Sequence, residues 1–131
     1  MIEITVKTNK KCSMTDITRE VSRVIKNSGI KSGSAVVFVP HTTAGITINE
    51  NADPDVKTDI LMKLDKIVDD DPEFRHMEGN SAAHIKSVMT GFSVSLIIED
   101  GRPLLGTWQG VYLCDFDGPR TRRVWIDINK K

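Results

Sequence analysis

Several things that decide function are scarce in this sequence. It has two cysteines, Cys12 and Cys114, too few for a disulfide framework, which points to a reducing, cytoplasmic setting. It has no net charge, 18 Lys+Arg balancing 18 Asp+Glu, so it lacks the basic excess with which nucleic-acid binders neutralise phosphates. No apolar run approaches the roughly 20 residues of a membrane-spanning helix. The opening stretch, Met1 to Lys11, alternates apolar and polar residues and does not read as a secretory signal. Gly-x-Ser-x-Gly, His-Glu-x-x-His, Cys-x-x-Cys and a phosphate-binding glycine loop are all absent, which removes the common hydrolase, metalloprotease and NTPase signatures. What remains is 131 residues, 39% of them hydrophobic: one soluble domain able to bury a core, with a small molecule as its expected partner and neither nucleic acid nor membrane.

The zero balance conceals an uneven distribution. From Glu50 to Glu78 there are ten acids against four bases, and from Pro119 to Lys131 five bases against one acid. Segments of opposite sign either form two solvated faces or pair, within the fold or across a subunit interface.

Ile2, Ile4 and Val6 alternate with Glu3, Thr5 and Lys7, which predicts a half-buried strand over 2–8. Ile17, Val21, Val24 and Ile25 fall on one stripe, predicting a helix from about Thr15, capped by Ser13 or Thr15 and stopped by Gly29. The apolar run 35–39, ended by Pro40, suits a strand covered on both faces, and 45–51 alternates as another strand. Asp53-Pro54 marks a helix start. Val56, Ile60, Leu61, Leu64, Ile67 and Val68 then trace the buried face of a long helix running out in Asp69-Asp70-Asp71-Pro72. A short helix over 81–89 ends at Gly91. Strands follow over 92–99, 106–115 and through Val124, Ile126 and Ile128, with a turn at Asp100-Gly101-Arg102-Pro103. Strands clustered late in this order predict an α+β fold, a single domain over 1–131 with three helices and a largely antiparallel sheet.

Chemistry rests on few residues. The three histidines, His41, His76 and His84, each sit at the boundary of an element. Imidazole is the commonest metal-ligating side chain, and a three-histidine site leaves an open position for water or substrate. Their spacing matches no local metal motif, and on spacing alone they read as satisfied or exposed histidines. Asn49 and Glu50 can orient a substrate or a water, whereas Asn51 and Asp53 read as helix-entrance caps. Asp59, on the long helix, belongs to a solvated face unless it serves as a base.

Gly79, Asn80 and Ser81 open a helix, whose free amides and dipole form a ready anion site. Gln109, beside Trp108 and between Gly106 and Gly110, has no packing reason to sit in a strand and is a candidate pocket donor. Arg120 and Arg122 follow Asp115 and Asp117 across a turn. Arginine forks recognise phosphate or carboxylate, and a hairpin with ion-paired flanks explains them equally well. Neither cysteine has the setting of a nucleophile.

Three blocks together are more specific. His41-Thr42-Thr43-Ala44 runs into Ile48-Asn49-Glu50-Asn51-Ala52-Asp53-Pro54-Asp55-Val56. Glu78-Gly79-Asn80-Ser81-Ala82-Ala83-His84-Ile85-Lys86 follows, then Gly106-Thr107-Trp108-Gln109-Gly110-Val111-Tyr112 leading to Asp117-Gly118-Pro119-Arg120-Thr121-Arg122. In order and spacing, over essentially the whole chain, these blocks resemble the hallmark of the YjbQ family. The resemblance implies a mixed, largely antiparallel sheet curved into a half-barrel, and a homotrimer.

It also implies a secondary thiamine-phosphate synthase activity, a transferase joining a pyrimidine pyrophosphate to a thiazole phosphate. On that basis His41, His76 and His84 form a site for a divalent metal, zinc or magnesium. Glu50, Asp59, Asn49 and Gln109 are the catalytic candidates. Gly79, Asn80, Ser81, Arg120 and Arg122 bind the phosphorylated metabolite. A trimeric metal- or anionic-metabolite-binding protein, and a metal-dependent hydrolase, are the alternatives the same residues allow.

Overall fold

The computed structural model describes residues 1–131. The strict alternation around Val124 and Ile126 makes β8 (Thr121–Lys130) the longest strand, with one face buried along its first half. It lies between β1 (Ile2–Lys7) and β3 (Gly33–Phe38), and the sheet continues through β5 (Ser93–Glu99) to the short β6 (Arg102–Pro103). A second sheet has β7 (Gln109–Asp115) between β2 (Ser13–Asp16) and β4 (Ala44–Glu50). Every pairing is antiparallel, and the strands curl into a half-barrel carrying three helices.

α1 (Thr18–Ser28) closes the concave side with Val21 and Ile25, both fully buried, and ends at Gly29 in the left-handed conformation (φ 76°). Together with Ile17, Ala35, Val37, Leu96, Ile98, Val111, Leu113 and Ile126 these residues belong to one core of 15 buried side chains. Each of the larger ones contributes about 1.5–3 kcal/mol by leaving water. A second cluster, Met14, Ala83, Tyr112, Cys114 and Phe116, lies beneath α2 (Pro54–Ile67) and α3 (Ser81–Thr90).

Several local expectations are corrected. Ser13 and Thr15 do not cap α1, because both belong to β2; the Asp16 carboxylate accepts the Thr18 N–H at 2.9 Å instead. β3 is not covered on both faces: Ala35 and Val37 are buried, while Val36 and Phe38 are half-covered, Phe38 by stacking on Trp125 at 5.7 Å. α2 begins as expected, with Asp53 accepting the Asp55 N–H, but none of its residues is fully buried. It lies over the small cluster through Ile60, Leu61 and Leu64, which leaves Ile67 57% exposed. β7 starts at Gln109, and residues 106–108 form a turn closed by the Gln109 N–H on the Gly106 carbonyl at 3.1 Å.

Candidate functional site

Pro40 ends the run of β3, and the short connection to β4 places His41, Thr42 and Thr43 at one rim of the half-barrel. The loop after α2 carries His76 and Glu78, the first turn of α3 carries His84, Arg120 directly precedes β8 and Arg122 is near its start. These side chains converge on one cleft of about 440 Å³, in which Pro40 is the only non-polar lining residue. His76 and His84 meet edge to face with ring centroids 5.5 Å apart.

One wall is a buried ion pair. Arg122 is 2% exposed and donates from Nη2 to Asp115 at 2.7 Å and to the Thr43 hydroxyl at 2.8 Å. Asp115, fully buried, also accepts from the Thr8 hydroxyl at 2.6 Å and from the Asp117 N–H at 3.0 Å. Burial alone raises the Asp115 carboxyl pKa. The hydrogen bonds from Arg122, Thr8 and the Asp117 N–H, with the Arg122 charge, outweigh it and bring the pKa below the ordinary carboxylate value.

The Nε of Arg122 is buried and has no acceptor within the chain. A buried guanidinium N–H without a partner is costly unless a ligand or water completes it. The rim is built by a second chain of contacts. Arg120 donates to the Asp117 carboxylate at 2.7 Å, and Asn80 donates to Asp117 at 2.9 Å and to Glu78 at 2.6 Å.

His41 has a defined role in this wall. Its Nε2 accepts the Arg123 backbone N–H at 2.9 Å, so in the neutral ring the proton resides on Nδ1. Burial holds its pKa below the ordinary 6.5, and the Arg122 and Arg123 charges push the same way. No group of three or more His, Cys, Asp or Glu side chains converges as ligands for one ion. The three imidazoles line one cleft, and of them His41 is tied to the backbone of β8.

The structure thus brings together His41, His76, His84, Asn80, Arg120 and Arg122. Gly79 (φ 79°) and Ser81 flank the cleft without lining it, the glycine supplying the left-handed turn into α3. The four catalytic candidates lie elsewhere. Asn49 bonds the Glu50 N–H at 2.7 Å and borders a separate cavity over the second cluster. The Glu50 carbonyl accepts from the Tyr112 hydroxyl at 3.0 Å. Asp59 is on the exposed face of α2, and the Gln109 side-chain oxygen accepts the Gly106 N–H at 2.8 Å, which locks the turn before β7. Sequence reasoning did not single out Thr43, Glu78 or Thr8 as site-builders. For Thr8 and Thr43 the available signal is only that a buried arginine and aspartate need further partners.

Fold and site together define an α+β half-barrel with a polar, anion-compatible cleft at its rim. The family model described as UPF0047 protein YjbQ-like matches residues 2–131. The chain belongs to the YjbQ family. It is 56% identical over 124 residues to the UPF0047 protein YugU of Bacillus subtilis, covering 94% of each chain. It is 54% identical over 123 residues to the UPF0047 protein MJ1081 of Methanocaldococcus jannaschii, covering 94% of this chain and 89% of that one. Among solved structures, a YjbQ/UPF0047 family protein from Clostridium acetobutylicum superposes with a TM-score of 0.95 at 53% identity, covering 98% and 100% of the two chains. A YbjQ-like protein from Sulfolobus solfataricus gives 0.93 at 31% identity, covering 99% and 96%.

Proposed function

We propose that the histidine and arginine cleft binds a small phosphorylated metabolite and acts on it as a transferase of the thiamine-phosphate synthase type, with slow turnover. The observation that carries this reading is the buried Arg122, whose unpartnered Nε belongs to a cleft lined also by three imidazoles, two threonines, Asn80, Arg120 and a single carboxylate, Glu78. Guanidinium and imidazole donors suit phosphate oxygens and stabilise the charge of a departing pyrophosphate. In the reaction the bond from the pyrimidine methylene carbon to the pyrophosphate oxygen breaks, and the thiazole nitrogen lone pair forms the new C–N bond. Arg120 and Arg122 hold the leaving group. His41, neutral with its proton on Nδ1, is a donor, and His76 and His84 orient the phosphate. Magnesium arriving with the pyrophosphate supplies further charge neutralisation.

No catalytic carboxylate is needed for this step. Glu78, the only acid lining the cleft, is tied to Asn80, and Glu50 and Asp59 lie outside it. That favours transfer, or binding alone, over metal-dependent hydrolysis. The proposal extends to assembly as a homotrimer, since α3 and the turn after it expose an apolar stripe with Val88 83%, Met89 51% and Phe92 60% accessible. No helix is long and apolar enough to cross a membrane, and both cysteines are free, which suits a reducing cytoplasm.

The test is thiamine-phosphate formation from both phosphorylated precursors with Mg²⁺, wild type beside His84→Ala. Turnover abolished in the variant, with the assembly intact, supports the transferase. Turnover far below the ordinary range of roughly 1–10³ s⁻¹ and unchanged in the variant leaves a binding protein whose synthase activity is incidental.

A further inference from the structure

We propose a second anion site, separate from the histidine and arginine cleft and independent of its assignment, in a lysine-lined cleft at the junction of β1, β2 and α2. This cleft, about 240 Å³, is lined by Lys7, Lys10 and Lys57 with the hydroxyls of Thr8, Ser13 and Thr15, and no carboxylate borders it. None of the three ammonium groups forms an ion pair. Lys57 is half-buried on α2 and lines the cleft from the helix side. The Ser13 hydroxyl oxygen is shut off from solvent with no hydrogen-bond partner. Four donors therefore border one small space that contains no anionic acceptor.

The surroundings make this placement informative. Lys57 lies in the segment where acids outnumber bases ten to four, yet none of those acids faces the cleft. Three uncompensated cations in a concave site raise the local potential and concentrate anions there. Their number matches a compact group with two to three negative charges, which is the chemistry of a diphosphate or of a phosphate monoester carrying another acid. The Ser13 and Thr15 hydroxyls add neutral donors for the remaining oxygens, the Thr8 hydroxyl hydrogen being committed to Asp115.

Thr8 divides the two sites. It lines the lysine cleft, while its N–H donates to the Arg120 carbonyl at 2.8 Å, its Oγ1 accepts the Arg120 N–H at 3.0 Å, and the same hydroxyl donates to Asp115. The chain thus presents two cationic clefts linked through Thr8, which lines one and is hydrogen-bonded to Arg120 of the other.

The experiment titrates inorganic pyrophosphate into wild type, Lys10→Ala/Lys57→Ala and His84→Ala/Arg120→Ala, by calorimetry and backbone-amide NMR. Wild type binds two pyrophosphates per chain. The lysine variant binds one, loses the shifts of the amides over residues 7–15, and keeps those over 76–84. Removing charge-assisted hydrogen bonds weakens the affected site by about tenfold or more. All substituted lysines are exposed or half-buried, so the fold is retained, which the NMR spectrum itself checks. Unchanged stoichiometry and affinity in the lysine variant, or no response of residues 7–15 in wild type, overturns the second site. Loss of binding confined to the lysine variant, with the histidine and arginine variant indistinguishable from wild type, instead overturns the assignment of the first cleft and leaves this one standing.

Discussion

Asp115→Ala is the substitution from which the most can be learned about the cleft wall. Asp115 is fully buried and is the only carboxylate bonded to Arg122, itself 2% exposed. Removing it strands a guanidinium in the interior and withdraws the acceptor for the Thr8 hydroxyl and the Asp117 N–H. Breaking one side of such a pair costs about 3–5 kcal/mol, because the remaining charge keeps its desolvation cost without its partner. For a chain of this size each kcal/mol moves Tm by about 3–5 °C, so the melting temperature falls by about 10–20 °C.

The assay is urea and thermal unfolding at one fixed protein concentration, so that any linkage to assembly is held constant. Arg120→Ala is the internal comparison. Its side chain is 49% exposed and pairs with Asp117 at the rim, so its loss costs less than about 1 kcal/mol. The double variant Asp115→Leu/Arg122→Met, which removes both charges, regains part of the stability lost by Asp115→Ala. A loss below about 1 kcal/mol for Asp115→Ala, or a double variant weaker than the single one, would refute the account of this wall.

Other outcomes are expected on separate grounds. Because the Asp115 pKa is depressed in the folded protein, its contribution is complete above an unfolded carboxylate's value near 4 and is lost as pH falls through the lower folded value; acid unfolding of Asp115→Asn lacks that component. His41 titrates below 6.5 by NMR. The unfolded chain therefore binds its proton first, and stability drops as pH falls from 6.5 toward the folded pKa, a drop absent in His41→Asn. Val88→Asp places a charge on the exposed apolar stripe of α3 and converts a trimer to monomers in sedimentation, with circular dichroism unchanged; a monomeric wild type would end the trimer proposal. Gly110→Ala sets a Cβ 2.6 Å from the Asn51 amide nitrogen and 2.9 Å from its Cβ, and costs about 1–3 kcal/mol in denaturant unfolding.

Much of the fold is legible in the sequence because the periodicities are clean. Val124 and Ile126 alternate, Val21 and Ile25 lie one turn apart, and Asp53-Pro54 and Gly29 punctuate the helices as their backbone chemistry requires. α2 misleads for a physical reason: an apolar stripe shows that a face is compatible with burial, and the exposed Ile67 shows that compatibility is not occupancy. The site is less legible. His41, His76 and His84 come from three separate segments and meet only because the end of β3, the loop after α2 and the start of α3 reach the same rim. Glu50, Asp59 and Gln109 carry suitable chemistry but do not line this cleft, which no local pattern encodes. Thr8 is an ordinary residue in the sequence and acquires its importance only through Asp115, 107 residues away.

The position of β8 has a consequence for how this chain comes into being. β8 is the strand between β1 and β3, and Glu3 and Trp125, 122 residues apart, meet across the β1–β8 ladder. During synthesis β1 has no partner until residues 121–130 have left the ribosome, so the five-stranded sheet cannot be completed on a partial chain. Contacts this distant slow folding and leave strand edges open in the meantime. A nascent chain halted before β8 therefore exposes β1 and β3 as unpaired edges, and is the form of this protein most in need of a chaperone.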